Sequence, residues 1–245
     1  MQSEAYIHSI ETMGMVDGPG IRYVIFMQGC PLRCAFCHNP DTWHMTKGQT
    51  KTLNWLLADI KNYLPYFRSS GGGVTVSGGE PLLQAEFLEL LFAELKKINI
   101  HRVIDTSGFA AVEKVKKLMS LTDLVMLSIK HPNPEKHREI SGQSSERPLA
   151  FARYLTKINM PVWVRYVLIP EVSDSPQDLA GLAAMINNMP NVQRLELLPY
   201  NTLGKSKWEQ LGISSPLLDK PSPLPQEVEA ARKTMAGLLP GLKTI

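Results

Sequence analysis

Short runs of β-branched residues alternate with amphipathic helical segments along most of the chain, and this alternation constrains the fold more than any other feature. Strands are predicted at residues 21–28, 74–77, 102–105, 124–129, 162–169 and 193–198. Helices are predicted at residues 52–67, 85–98, 111–119, 145–158, 176–189 and 225–238. Because repeated β–α units form parallel sheets with right-handed crossovers, the pattern predicts an α/β fold that is either doubly wound or part of a barrel.

The composition is that of an ordinary globular domain. The 245 residues, of which 44% are hydrophobic and 20% charged, suffice for one sizeable core, and a net charge of +3 gives no sign of nucleic-acid binding. The chain shows neither a secretory signal nor an apolar run near the ~20 residues of a membrane helix, and its free thiols fit a reducing compartment. We therefore expect one cytoplasmic, monomeric domain over residues 1–245, with a core at about 15–210 and a helical extension at about 215–245.

Chemically useful side chains gather at the predicted strand ends. Those within or directly after the strands are Cys30, Gly78, Gly79, Glu80, Asp105, Thr106, Lys130, Arg165 and Asn201. In parallel α/β folds, ligands bind at the carboxyl ends of the strands. The sequence therefore predicts that these residues share one functional rim.

The chain has three cysteines, Cys30, Cys34 and Cys37. Three thiolates at this spacing can hold three corners of a cubane iron–sulfur cluster and leave the fourth iron open for a substrate. The alternative is a zinc site completed by His38 or His44, although His38 directly follows Cys37 and could hardly close a tetrahedron with it. A disulfide is disfavoured because the number is odd and two of the cysteines are only three residues apart.

The cysteine motif, with Phe36 as the aromatic residue before its last cysteine, resembles that of the radical S-adenosylmethionine (SAM) enzymes. Gly78-Gly79-Glu80 after an apolar run supports the resemblance. Further segments follow the order of one family, the activating enzymes of glycyl radical enzymes: Asp17-Gly18-Pro19-Gly20-Ile21-Arg22, Ser77-Gly78-Gly79-Glu80-Pro81, Asp105-Thr106-Ser107-Gly108-Phe109 and Leu197-Leu198-Pro199-Tyr200. The resemblance spans about residues 5–210 and implies a partial (β/α)6 TIM-like barrel, open on one side.

The resemblance also implies a radical SAM oxidoreductase. The three cysteines would bind a [4Fe-4S] cluster whose open iron chelates the amino and carboxylate groups of SAM. Reductive cleavage of SAM would yield a 5′-deoxyadenosyl radical that removes a hydrogen atom from a partner's glycine. The implied partner is pyruvate formate-lyase or another glycyl radical enzyme, and the implied electron donor is reduced flavodoxin or ferredoxin.

The resemblance assigns a set of residues to SAM: Phe36, Cys37, His38, Gly78, Gly79, Glu80, Asp105, Ser128, Ile129, Lys130, Arg165 and Asn201. Gly78 and Gly79 lack side chains, so the backbone can approach the methionyl end closely. Glu80 could orient the amino group, or it could be an ordinary charge in the first turn of a helix. Phe36 either offers its ring to adenine, beside the backbone of Cys37 and His38, or packs beneath the loop.

Three charged residues carry open alternatives. Lys130 and Arg165 could point two cations at the SAM carboxylate or ribose, or they could be solvated or ion-paired strand residues. Asp17 could accept backbone N–H groups of the partner's glycine loop, although its segment also suits a plain turn.

Two positions depart from the family pattern. Ser128 stands where relatives carry an aspartate that, with the equivalents of Asp105, Thr106 and Met126, is linked to a monovalent cation. Since hard cations favour charged oxygen ligands, we expect a weaker cation site. Asn201 stands where relatives have histidine, and it can hydrogen-bond but cannot carry charge.

Two other functions remain open. A radical SAM enzyme that acts on a small molecule would keep the cluster but would not need the segment from Asp17 to Arg22. A non-catalytic or zinc-binding scaffold would bind no iron. The absence of further cysteines argues against the larger activators that carry a ferredoxin-like insert.

Overall fold

The computed structural model describes residues 3–217 and 219–245. Within them the strands are β1 (Glu4–Gly14), β2 (Arg22–Met27), β3 (Gln49–Thr52), β4 (Gly73–Gly78), β5 (His101–Thr106), β6 (Leu124–Ser128), β7 (Val162–Leu168), β8 (Val192–Pro199) and β9 (Lys243–Thr244). The six predicted strands correspond to β2, β4, β5, β6, β7 and β8 and agree at each end to within one residue. The expected α/β class is confirmed.

Helices connect most of these strands. They are α1 (Leu53–Lys61), α2 (Leu64–Ser70), α3 (Ala85–Lys97), α4 (Val112–Met119), α5 (Pro134–Ser141), α6 (Glu146–Lys157), α7 (Pro176–Asn187), α8 (Lys205–Leu211) and α9 (Pro225–Leu238). Short 3-10 helices lie at Pro40–Thr42 and Pro81–Gln84. No helix formed by the described residues has the length and apolar character needed to cross a membrane.

The chain divides into two compact units. The first comprises Met1–Pro31 and Thr42–Met126, and the second comprises Leu32–Asp41 and Leu127–Ile245. β6 contributes to both units.

The sheet of the first unit has the order β3-β1-β2-β4-β5. β1 is antiparallel to β2 and β3, whereas β2, β4 and β5 are parallel. Tyr23, Val24 and Ile25 are consecutive in β2 and fully buried, which is typical of a parallel strand covered on both faces. α3 packs against α1 and α4 and buries Phe87 and Leu91.

Strand register determines which side chains of the first unit share a face. Val24 pairs with Thr75, and Phe26 pairs with Ser77. Because successive residues of a strand point to opposite faces, Thr75 and Ser77 lie on one face of the sheet, with Val74 on the other. We call the Thr75 and Ser77 side the polar face.

The second unit contains a parallel arrangement of its own. β7 pairs with β8, and β8 pairs with β9. α7 packs against α9. The register places Arg165 opposite Glu196 on neighbouring strands.

One predicted helix, at residues 52–67, is wrong because the structure forms two helices there. α1 ends at Lys61, and α2 begins at Leu64 with Pro65 in its first turn. Proline has no N–H and its ring would clash with the carbonyl four residues earlier, so a continuous helix through Pro65 is disfavoured.

Candidate active site

Glu80 lies at the end of β4 and is almost fully buried, with 1% of its surface exposed. Its Oε1 accepts hydrogen bonds from the Thr106 hydroxyl at 2.5 Å and from the Leu82 N–H at 3.1 Å. Its Oε2 accepts from the hydroxyl and the N–H of Ser107, at 2.5 and 3.0 Å. Burial raises the pKa of Glu80, against the opposite effect of these donors.

Glu80 therefore joins the ends of two neighbouring strands. Glu80 also caps the 3-10 helix Pro81–Gln84 by accepting from the Leu82 N–H. This one contact matches the alternative in which Glu80 is an ordinary charge at the start of a helix. The bonds to Thr106 and Ser107 go further, because they tie the Gly-Gly-Glu segment to the end of β5. A contact between Glu80 and the SAM amino group stays a prediction.

The Gly-Gly-Glu segment also packs directly against the residues that precede Cys30. The Gly79 N–H donates to the Met27 carbonyl at 2.9 Å, and the Glu80 N–H donates to the Gly29 carbonyl at 2.8 Å. A Cβ atom added to Gly79 would lie 2.2 Å from the Gly29 carbonyl oxygen. Glycine is therefore needed here for the close approach of two backbone segments, whatever space it also leaves for a cofactor.

Asp105 and Thr106 form a second polar group in the first unit, at the end of β5. Asp105 Oδ2 accepts a hydrogen bond from the Ser77 hydroxyl at 2.8 Å, on the polar face. The Thr106 hydroxyl donates to Glu80 and accepts from the Gly108 N–H at 2.9 Å. Both residues thus make protein contacts at the strand end, and their expected part in a cation site stays a prediction.

In the second unit, residues 32–41 form the loop that carries Cys34 and Cys37. The Cys37 N–H donates to the Cys34 carbonyl at 3.0 Å, which turns the chain between the two thiols. Backbone bonds from Arg33 and Ala35 to the end of α5, both 2.8 Å long, fix the start of the loop.

A small cleft in the second unit brings four of the predicted residues together. Phe36, Cys37, His38 and Asn201 line it, along with Tyr200, Thr202, Gly204, Lys205, Trp208, Ala35 and Ser215. The ring of His38 lies with Nε2 3.2 Å from the Asn201 carbonyl oxygen, which can only accept a hydrogen bond. The Asn201 side chain accepts from the Leu203 N–H at 3.1 Å. Phe36, Cys37, His38 and Asn201 therefore lie together within the second unit, and their contact with SAM stays a prediction.

Three side chains that sequence reasoning missed hold the cysteine loop. Trp208 donates from Nε1 to the Cys37 carbonyl at 2.8 Å, and Ser215 donates to the Ala35 carbonyl at 3.0 Å. The Lys207 ammonium donates to Asn39 at 2.7 Å and pairs with Asp41 at 3.0 Å. These residues come from α8 and the segment after it, where no motif marks them.

Phe36 and Lys130 lie near each other in the second unit. Phe36 packs against a buried apolar cluster of Ile169, Tyr200 and Leu217. The Lys130 ammonium lies 5.5 Å from the centroid of the Phe36 ring, within the range of a cation–π interaction. Phe36 thus supports the loop from beneath, and a contact with adenine stays a prediction.

Arg165 belongs to an ion-paired group. Its Nε donates to Glu196 Oε2 at 3.0 Å, and Glu196 is 6% exposed. Arg194 lies 3.4 Å from the other Glu196 oxygen and stacks on Trp163, with 3.7 Å between the guanidinium carbon and the ring centroid. This matches the ion-paired alternative for Arg165, and its role toward SAM stays a prediction.

Three more of the predicted residues, Met126, Ser128 and Ile129, lie at the end of β6. Met126 is fully buried and Ser128 is half-buried. Ile129 is 8% exposed, and its N–H donates to the Arg165 carbonyl at 3.0 Å. Ser128 therefore presents a hydroxyl at the end of a strand.

His137, in α5, is expected to make the protein sensitive to acid. The ring is 3% exposed, and its Nε2 has no hydrogen-bond partner among the described residues. Burial, with a smaller contribution from the Lys130 cation, lowers the pKa of His137 from 6.5 to about 4. Between these pH values the unfolded chain binds a proton that the folded protein does not, so stability falls as the pH decreases, by up to about 3 kcal/mol from this residue.

Urea unfolding from pH 7.5 to 4.5 checks this expectation. His137→Asn should lose less stability on acidification than the parent protein, and His44→Asn, which changes an exposed histidine, should behave like the parent. Equal pH dependence in His137→Asn and the parent would contradict the assignment.

The donor set fits an iron–sulfur cluster. None of the three cysteines forms a disulfide, and Cys34 is buried whereas Cys30 and Cys37 are half-buried. Thiolates are the usual ligands of a [4Fe-4S] cluster. Among residues 3–217 and 219–245, no group of three His, Cys, Asp or Glu side chains could hold a single metal ion. Ligands that bind different corners of a cubane lie farther apart than the ligands of one ion, so this finding lends no support to the zinc alternative.

Comparison with known proteins identifies the family. The model of the radical SAM superfamily matches residues 24–183. The chain belongs to the radical SAM superfamily. The pyruvate formate-lyase-activating enzyme of Staphylococcus aureus (strain USA300) is 46% identical over 235 residues, which cover 93% of this chain and 94% of that protein. Within the superfamily, the chain therefore belongs to the family of these activating enzymes.

Solved structures agree with this radical SAM assignment. A domain of pyruvate-formate lyase-activating enzyme from Bacteroides vulgatus ATCC 8482 is 25% identical, with a TM-score of 0.60, over 71% of this chain and 98% of that one. Streptococcus suis SuiB bound to its precursor peptide SuiA is 16% identical, with a TM-score of 0.67, over 90% of this chain and 47% of that one. The second likeness concerns the fold alone. As a radical SAM protein, the chain uses a [4Fe-4S] cluster and SAM.

Proposed function

We propose that this radical SAM protein activates pyruvate formate-lyase by removing a hydrogen atom from a glycine of that enzyme. The observation that carries the proposal is the 46% identity to an activating enzyme over 93% of the chain. Held by Cys30, Cys34 and Cys37, a reduced [4Fe-4S] cluster would supply the electron for cleavage of SAM, and the adenosyl fragment would accept the hydrogen atom. The other product is methionine, and the partner keeps the unpaired electron on its glycine.

The roles of the chain's own residues follow from their chemistry. Cys30, Cys34 and Cys37 would hold the cluster as thiolates. The cleft formed by residues 35–38 and Asn201 would hold the adenosyl part of SAM, and its backbone groups would exclude water.

The carboxylates of the first unit have separate proposed roles. Glu80 would orient the SAM amino group through the charge that Thr106 and Ser107 hold in place. Asp17 would accept N–H groups of the partner's glycine loop, since it lies in a segment that packs on the polar face of the sheet.

We also propose a cytoplasmic monomer that takes its electron from reduced flavodoxin or ferredoxin. Three cysteines that form no disulfide suit a reducing compartment. The modest net charge of +3 suits an acidic electron donor.

An anaerobic activation experiment tests the proposed function. The reconstituted protein, SAM, a reductant and pyruvate formate-lyase from the same host should give the electron paramagnetic resonance doublet of a glycyl radical. A partner whose target glycine is replaced by alanine provides the matched control and should give no doublet. With α-deuterated glycine in the partner, deuterium should appear in 5′-deoxyadenosine. A doublet-free spectrum with an activatable partner would overturn the proposal.

The serine at position 128 should weaken the dependence of SAM cleavage on potassium. One carboxylate ligand that relatives use for the cation is replaced by a neutral hydroxyl. Titration of cleavage with potassium chloride, at constant ionic strength, should change the rate by less than about threefold. Ser128→Asp should introduce a stronger dependence. A strong potassium requirement in the parent protein would contradict this expectation.

A further inference from the structure

Arg22 is a fully buried cation at the start of β2, with 0% of its surface exposed. One guanidinium nitrogen, Nη2, donates to the carbonyls of Val74 at 2.5 Å and His101 at 3.2 Å. Nη1 donates to the Pro19 carbonyl at 3.3 Å. The guanidinium group thereby links the N-terminal ends of β2, β4 and β5 to the turn that precedes β2.

A threonine extends these contacts toward Asp17. Arg22 Nε donates to the Thr75 hydroxyl at 2.9 Å. The same hydroxyl donates to the Asp17 carbonyl at 2.6 Å. Thr75 is fully buried, and its bond with Arg22 is shielded from solvent, whereas the Asp17 end of the second bond is half-buried. Arg22, Thr75 and the Asp17 backbone therefore form a relay of two hydrogen bonds, which we call the Arg22 relay.

The Arg22 relay places the turn at residues 17–20, which we call the Asp17 turn, on a defined side of the sheet. Thr75 belongs to the polar face, which also presents Ser77 and, through its hydrogen bond, Asp105. A Cβ atom added to Gly18 would lie 3.5 Å from the Val103 side chain, so the turn also packs against β5. The Asp17 turn thus lies along the polar face rather than projecting away from the sheet.

We infer that Thr75 and Arg22 are positioning residues that hold the Asp17 turn in the place where it receives the glycine loop of the partner enzyme. The inference rests on the proposed function, because it needs a glycine-bearing protein substrate. The buried cation fixes the hydroxyl, and the hydroxyl fixes the turn. Neither residue touches the partner or SAM itself.

Thr75→Val tests the relay, since it keeps the shape of the side chain and removes both hydrogen bonds. We expect the KM for pyruvate formate-lyase to rise by about tenfold or more, because a small displacement of a positioning group can cost up to about 10²-fold. The kcat and the slow cleavage of SAM without partner should change by less than about twofold. Thr75→Ser restores the hydroxyl and should restore KM.

Thr122→Val is the matched control. Thr122 is another buried threonine of the first unit, and its hydroxyl donates to the Leu118 carbonyl at 2.9 Å, far along the chain from the relay. This variant should keep the parent KM. If Thr75→Val does not fold, Arg22→Lys interrupts the same relay while keeping the charge, and it should raise KM in the same way.

The outcomes separate the two proposals. If the parent protein gives no glycyl radical, the proposed function fails. If the parent gives the radical but Thr75→Val and Arg22→Lys keep its KM, the inferred role of the relay is overturned. A loss confined to kcat or to thermal stability, or a failure of Thr75→Ser to restore KM, would also overturn it.

Discussion

Cys37→Ser is expected to lose SAM cleavage and glycyl radical formation together. The chain has three cysteines, so no other thiolate can replace the lost cluster ligand. Serine is a poor substitute, because iron–sulfur clusters select soft thiolate ligands. Changes to residues that support a metal ligand typically lower activity by about 10–100-fold. The loss in Cys37→Ser should be larger, because a ligand itself is removed. Iron content, visible absorbance and the yield of 5′-deoxyadenosine measure the result.

Ala35→Ser provides a control on the same loop. It introduces a serine at a half-buried position two residues from Cys37 while leaving all three thiols in place. This variant should keep its iron and the visible absorbance of the cluster. Full iron content and activity in Cys37→Ser would exclude Cys37 as a ligand.

Glu80→Ala is expected to destabilise the protein by about 3 kcal/mol, because a buried acceptor of four hydrogen bonds is removed. The hydroxyls of Thr106 and Ser107 can turn to other acceptors, but the N–H groups of Leu82 and Ser107 cannot. In a chain of 245 residues this loss corresponds to a melting temperature lower by about 6–12 °C. Glu80→Gln should cost less, since one amide oxygen can still accept.

Urea unfolding of the cofactor-free protein measures the loss of stability in Glu80→Ala separately from any loss of activity. Glu94→Gln is the control, because Glu94 forms an exposed helical ion pair with Lys97 and should change stability by less than about 0.5 kcal/mol. Burial raises the pKa of Glu80, so the folded protein holds that proton more tightly than the unfolded chain. Stability therefore falls as the pH rises from the ordinary carboxyl range toward the raised pKa, and Glu80→Gln should lack this dependence. Equal stability of Glu80→Ala and the parent would contradict the burial argument.

The parallel strands could be predicted from sequence because they are buried on both faces. Val74 and Val76 alternate with Thr75 in β4, yet all three are fully buried, so the run reads as continuously strand-like. The short strands β3 and β9 gave no such signal in the sequence. β3 has the sequence Gln-Thr-Lys-Thr with no apolar residue, and β9 is two residues long. β1 was missed because its second half is largely solvent-exposed, and α5 and α8 were missed because each short helix carries only one or two apolar residues.

The site was predictable where a motif or a strand end marks it, and not where a single side chain completes it. Position at strand ends was enough to find Glu80, Asp105 and Lys130. It could not show that Glu80 binds Thr106 and Ser107, since this depends on how two strand ends pack. Trp208 contacts a residue 171 positions away, and no spacing rule reaches that far.

The contacts of Trp208 and Ser215 with the cysteine loop bear on the order of events during protein synthesis. The Ser215 hydroxyl and the Ala35 carbonyl that it binds are separated by 180 residues. At about 5–20 residues per second, the ribosome needs roughly 10–35 seconds to bridge that interval. The cysteine loop therefore leaves the ribosome long before the side chains that hold it exist. Delivery of iron and sulfide to a properly shaped loop must therefore follow the synthesis of Trp208 and Ser215.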